Sequence, residues 1–233
     1  MSCKDNYLEV LDKVSEDMKK AGRDLSECTL VAVSKTKPLE LLKEAYEAGC
    51  RDFGENYVQE LVDKIPQMPE DVRWHMIGHL QTNKVKYLIG KTYLIHSVDT
   101  VKLAREIGKQ SEKAGIVTDI LLEVNVAGEE SKFGFTPENI MDSVKEISQI
   151  PGICVKGLMT SAPICKFSEE NRVYFRKLKQ LSIDIKKQNI DNVHMGFLSM
   201  GMSGDYETAI DEGSTFVRVG TAIFGERDYS KKN

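Results

Sequence analysis

The sequence predicts an α/β fold, a single (β/α)8 TIM-type barrel preceded by one extra helix. Three observations predict it. Eight short β-like runs alternate with longer helical patterns, at roughly 25 residues per unit, which approaches the ~250 residues typical of such a barrel. Several of those runs, LLEVNV and LVAVS among them, are almost continuously apolar, as strands buried on both faces of a parallel sheet are. No GxGxxG opens a helix, so the competing doubly wound sheet lacks its dinucleotide fingerprint. With no linker, low-complexity run or composition shift, residues 1–233 read as one domain.

The elements follow in order. Leu8, Leu11, Val14 and Met18 recur every three or four residues up to Gly22, the stripe of an amphipathic opening helix. The strands are TLVAVS (29–34), CRDFGE (50–55), VRWHMIG (72–78), TYLIHSV (92–98), DILLEVNV (119–126), ICVKGLM (153–159), HMGFLSM (194–200) and TFVRVGTAI (215–223). Between them, Pro38 suits a first helical position, and Leu39, Leu42, Ala45 and Tyr46 form a stripe that Gly49 ends. Asp99-Thr100 begins a helix that stops near Gly115, and Thr136-Pro137-Glu138 opens another before Pro151-Gly152. The stretch 168–188 is the longest helix, with Tyr174, Leu178 and Leu181 on its apolar side.

Composition bounds the function. A formal charge of −4 supplies no basic footprint for nucleic acid. The five cysteines (Cys3, Cys28, Cys50, Cys154, Cys165) are odd in number and contain no CxxC, a pattern of reduced thiols in a cytoplasmic protein. No run approaches the ~18 apolar residues of a membrane span, and MSCKDNYLEVLDKV lacks the apolar core of a signal peptide.

In a barrel, ligands meet the C-terminal ends of the strands. SMGMSGDYE begins at the end of strand seven and VRVGTAIFG lies at the end of strand eight, beside the loops where this fold recurrently binds phosphate. Hydroxyls there offer O–H donors, and glycines and helix starts present N–H groups, to an anion, or the segments simply make a glycine-rich turn and a cap. Lys35 shares strand parity with Val31 and Val33. If that side faces the interior, its amine rises through the barrel mouth, where desolvation favours Schiff-base chemistry. The alternative is a lysine snorkelling from a strand end. Lys37, beside Pro38, is the rival amine at a more exposed place. Arg218 is mid-strand, an expensive position for a cation, and requires a fixed partner, either an internal carboxylate or an acceptor on a ligand.

His75 and His79 would be a metal pair on a helix, but on a strand four residues span ~13 Å, and no other cluster has ligand spacing, so no metal is expected. His96 and His194 read as structural. GEESKFG (128–134) reads as a solvated loop from which Lys132 could reach a ligand's anionic group.

VAVSKTKP, FGENYVQEL, WHMIGHLQTNK, HSVD, GLMTSAP, LSMGMSGDYETAI and GSTFVRVGTAIFG together resemble the pyridoxal phosphate homeostasis protein family, over about residues 28–227 and in the family's order. That family is similar to the barrel domain of alanine racemase-like, fold-type III pyridoxal 5′-phosphate (PLP) proteins. The resemblance implies that Lys35 holds PLP as a reversible Schiff base. It implies that Ser199, Met200, Gly201, Gly220 and Thr221 surround the phosphate, that Arg218 faces the pyridine nitrogen, and that Asn56 adds a contact. Lys132 falls in the loop where the racemases carry an arginine.

The implied function is intracellular PLP homeostasis, buffering and delivering the cofactor without evident catalysis, through transient contact with PLP-dependent apo-enzymes and as a monomer. An arginine that keeps its proton leaves the pyridine nitrogen unprotonated and weakens the electron sink. The sequence also shows no second, β-rich domain carrying a catalytic tyrosine, so two-base racemisation is not expected. The alternatives are a weak PLP-dependent amino-acid racemase and a cofactor-free Schiff-base aldolase acting through Lys35.

Overall fold

In the computed structural model, which describes residues 2–226, eight parallel strands close into a barrel in sequence order, the first pairing with the last. They are β1 (Thr29–Val33), β2 (Asp52–Glu55), β3 (Arg73–Met76), β4 (Leu94–Val98), β5 (Thr118–Glu123), β6 (Ile153–Met159), β7 (Val193–Met202) and β8 (Phe216–Val219). The helices are α1 (Cys3–Lys20), α2 (Leu39–Glu47), α3 (Val58–Lys64), α4 (Val101–Ala114), α5 (Ile140–Ile147), α6 (Arg172–Lys187), α7 (Tyr206–Asp211) and α8 (Thr221–Phe224). Among the described residues, no helix is long and apolar enough to cross a membrane.

Strand alternation divides the apolar residues between two layers. Val31, Leu94, Leu121, Met159 and Phe216, closed off by Phe197, fill the barrel interior. Their neighbours Leu30, Ala32, Ile95, Ile120, Leu122, Leu158 and Val217 face outward and pack against helix residues such as Leu42, Leu103, Ile107, Val144 and Phe175. Burial of each such side chain contributes ~1.5–3 kcal/mol. This double burial is why the strands read as continuous apolar runs.

The opening helix forms as predicted, with a different inward face. Ser2 and Asp5 make a reciprocal capping box, and Cys3, Tyr7, Val10, Val14 and Met18 are buried while Leu8 is exposed. This face packs on α2, α7 and α8, and Asn6 Nδ2 donates to the carbonyl of Ile223. With only one turn in α8, α1 supplies the outer cover that the last barrel unit lacks.

Several features differ from the sequence reading or from an ordinary barrel. β8 ends at Val219, and Thr221–Phe224 is helical instead of extended. β7 runs on to Met202, two residues past its predicted end. The 168–188 stretch is a 3₁₀ turn, Ser168–Asn171, followed by α6. The β3–β4 connection uses a 3₁₀ stretch, Thr82–Tyr87, where a barrel ordinarily has an α-helix. At Gly157 of β6, an added Cβ would lie 1.9 Å from the carbonyl oxygen of Phe197. Only glycine lets β7 approach at the point where the β6–β7 register shifts.

Candidate functional site

At the C-terminal end of the barrel lies a cleft of about 470 Å³ lined by Lys35, Asn56, Ser203, Gly204, Arg218, Gly220 and Thr221, among others. That volume falls in the range of ordinary small-molecule sites. Strand parity holds for β1: Val31 is in the interior layer, while Val33 and Lys35 line the cleft above it.

Of the eight site residues read from the sequence, the cleft brings together Lys35, Asn56, Arg218, Gly220 and Thr221. Ser199, Met200 and Gly201 are buried and not part of its lining. Because β7 continues to Met202, Ser199 lies down inside the barrel, and Met202, Ser203 and Gly204 reach the cleft in place of the predicted trio. Gly201 has a structural task. Its φ is +92°, and a Cβ there would come within 2.6 Å of the Ala209 Cβ, so the glycine permits β7 to turn against α7.

Arg218 is 5% exposed. Its Nη1 donates to Ser199 Oγ and its Nη2 donates to the Thr160 carbonyl at 2.8 Å. Ser199 Oγ in turn meets His96 Nδ1 at 2.8 Å, and His96 Nε2 meets His75 Nδ1 at 2.9 Å. His75 Nε2 then reaches Asp52 at 3.0 Å, and Arg73 Nε closes the chain on the same carboxylate at 2.8 Å. The direction of this column follows from its ends, since a guanidinium only donates and a carboxylate only accepts. Ser199 therefore accepts from Arg218 and donates to His96, which donates through Nε2 to His75, which donates through Nε2 to Asp52. Both histidines are neutral Nε2–H tautomers.

Electrostatics agree with that assignment. Burial pushes His96 well below the usual histidine range and lowers His75 despite Asp52. Burial also draws Arg218 down to about 10, against the pull of Glu123 and Asp205, which leaves it cationic at neutral pH. His75 and His96 are thus part of the apparatus that fixes Arg218, a role that single-residue reading of a strand histidine does not reveal.

The loops after β7 and β8 are tied together. Asp205, 4% exposed, accepts from the Met202 amide at 2.6 Å and from Asn171 Nδ2 at 2.7 Å. Ser203 Oγ accepts a long, 3.4 Å bond from the Gly220 amide. The rim beyond β3–β5 carries a second group of polar residues. His79 Nδ1 contacts Asp99 at 2.8 Å, and its ring stacks on Phe133 at 3.8 Å, so His75 and His79 take quite different partners. Glu123, at the end of β5, is raised to about 7, first by burial and then by Asp99, with Arg218 and Lys132 opposing. Nothing in its sequence context marked it.

Comparison with known proteins accords with this geometry. Residues 10–228 match the alanine racemase, N-terminal domain family. The chain is 47% identical over 221 residues to the pyridoxal phosphate homeostasis protein of Aquifex aeolicus, covering 94% of this chain and 96% of that one. The chain belongs to the pyridoxal phosphate homeostasis protein family. Another member, from Escherichia coli, is 38% identical and covers 97% of both chains. Among solved structures, PipY of Synechococcus elongatus with PLP bound superposes with a TM-score of 0.80 at 32% identity, covering 91% of this chain and all of that one. Alanine racemase from Clostridium difficile, at 14% identity and a TM-score of 0.75, shares the barrel alone, which takes up 57% of that chain.

Proposed function

We propose that this protein binds pyridoxal 5′-phosphate in the cleft, holds it reversibly on Lys35, and serves intracellular PLP homeostasis as a carrier without catalytic turnover. One observation carries the reading: a single cleft contains an amine, a pinned arginine, and two linked loops rich in glycine and hydroxyls. These are the groups that an aldehyde, a pyridine nitrogen and a phosphate require. PLP therefore fits the residues present, and the relatives' names and the PLP-bound PipY point the same way.

The chemistry that PLP supplies when bound is an aldehyde open to reversible condensation with an amine. Lys35 would supply the amine for that condensation, and water or another amine could reverse it. Ser203, Gly204, Gly220 and Thr221 would hold the phosphate, and Arg218 would face the ring nitrogen. Because it stays cationic at neutral pH, it does not hand over a proton, which disfavours electron-sink catalysis. Asn56 borders the ring. Ile164, 98% exposed beside the cleft, lies at an open rim through which a recipient apo-enzyme gains transient access to the cofactor carried by a cytoplasmic monomer.

An absorption spectrum of the purified protein, before and after adding PLP, tests the reading. The wild type is expected to show a Schiff-base band and Lys35→Ala to show none. Steady α-proton exchange of amino acids in D2O above the Lys35→Ala background would overturn the non-catalytic half of the proposal.

A further inference from the structure

Both peptide neighbours of Lys35 are held by one buried cluster on β2 and α3. Lys64, the last residue of α3, has a side chain 9% exposed. Its ammonium has three donors, and three acceptors meet it: the Ser34 carbonyl at 2.8 Å, Glu55 Oε1 at 2.8 Å and Glu60 Oε1 at 2.6 Å. Glu55 is fully buried and also accepts from Ser34 Oγ at 2.6 Å. Glu60 Oε1 accepts from the Thr36 amide at 2.7 Å. The residue before Lys35 is therefore gripped at its carbonyl and hydroxyl, and the residue after it at its amide.

The local backbone explains the need for such a grip. Thr36 has φ of +61°, the left-handed region that a β-branched residue rarely occupies. Such a conformation persists only where its surroundings over-determine it, and it recurs at functional sites. Here it turns the chain immediately after Lys35, two residues beyond the end of β1, and the charged acceptor of Glu60 holds the turn. The charges are also unusual. Glu55 Oε2 is buried without a hydrogen-bond partner among the described residues, and burial, ahead of the opposing pull of Lys64, raises that carboxyl. A two-carboxylate, one-ammonium cluster in this setting is a costly way to gain stability.

We propose that Lys64, Glu55 and Glu60 form a positioning unit for Lys35, which sets the direction in which its amine leaves β1 and so the ease with which it meets an aldehyde. The proposal rests on the reading of Lys35 as the Schiff-base amine. Glu55, Glu60 and Lys64 are absent from the cleft lining; the unit acts through the backbone of residues 34–36. Loss of one charge-assisted grip is expected to weaken aldehyde capture about tenfold, while ligands that need no imine are bound as before.

The test compares PLP with pyridoxine 5′-phosphate, which has the same ring and phosphate and no aldehyde. Glu60→Ala removes the Thr36 acceptor at a partly exposed position, Lys64→Met removes the ammonium, and Glu60→Gln restores an oxygen acceptor. For Glu60→Ala and Lys64→Met, the expected result is PLP affinity and Schiff-base formation rate down about five- to tenfold, with pyridoxine 5′-phosphate affinity within about twofold of wild type. Glu60→Gln is expected to recover most of the PLP affinity. If Lys64→Met does not fold, Glu60→Ala and Glu60→Gln decide the matter alone. Equal losses for both ligands would reduce the cluster to a structural role, and unchanged PLP capture would remove it from the site; either overturns the proposal. Failure of the underlying reading looks different, because the wild type itself would then show no Schiff-base band.

Discussion

The two walls of the cleft each carry a cation, and they hold it in opposite ways. On the β7–β8 wall, the guanidinium of Arg218 is clamped directly by Ser199 and the Thr160 carbonyl, with a column of histidines behind it. On the β1–β2 wall, the grip falls on the backbone around Lys35 and on Lys64, one layer back, while the Lys35 side chain lies partly exposed along the cleft. The difference matches the work proposed for each. A group that acts by its field is most useful when it cannot move. A group that must form and break a covalent bond needs a fixed origin and a side chain able to swing. The contacts fix the head of Arg218 and the backbone at the root of Lys35.

Breaking the fixed wall should have the largest effect. Arg218→Met removes the donor proposed for the ring nitrogen and strands Ser199; PLP affinity is expected to fall roughly 10- to 100-fold, measured by titration of the Schiff-base band. Loosening the same wall from behind is milder. Ser199→Ala leaves Arg218 and His96 each short of a partner, and should cost about 2 kcal/mol of unfolding free energy in urea.

A pH experiment sharpens the contrast further. Glu123 goes from an ordinary 4.5 to about 7 on folding, so between those values the folded protein binds the proton that the unfolded chain has already released. Stability from this group is therefore lost as pH rises from about 4.5 to about 7, and Glu123→Gln should remove that dependence, stabilising the protein by up to about 3 kcal/mol at pH 8. Smallest of all, Ile164→Ser at the exposed rim should change unfolding free energy by less than about 0.5 kcal/mol and leave the Schiff-base band intact, which separates rim from wall.

Much of this was legible in the sequence because barrel chemistry gathers at strand ends, and strand ends can be counted. Lys35 could be placed from its parity with Val31, and Gly220-Thr221 from their glycine and hydroxyl next to Arg218, although the sequence pattern runs the strand on past them. The placement of Ser199, down inside the barrel and off the cleft lining, shows the limit of counting. β7 runs two residues further than its apolar pattern, and its pairing with β8 shifts register between Ser199 and Met202. A shift of that kind changes which residues face the ligand without altering composition. Ser203 and Gly204 consequently stand where Ser199 and Met200 were expected. The histidine column and the Lys64 cluster were illegible for another reason. Their members lie on different strands and helices, as far apart as His96 and Ser199, and become partners only when the barrel closes. A lone histidine on a strand or a lysine ending a helix carries no local mark of such a role.

The central claim, that Lys35 is the amine that holds PLP, is tested most directly by borohydride reduction of the PLP-loaded wild-type protein followed by peptide mapping. The account predicts a phosphopyridoxyl group on Lys35 at near one equivalent. Labelling of Lys37 in its place, or no stable adduct after reduction, would contradict it.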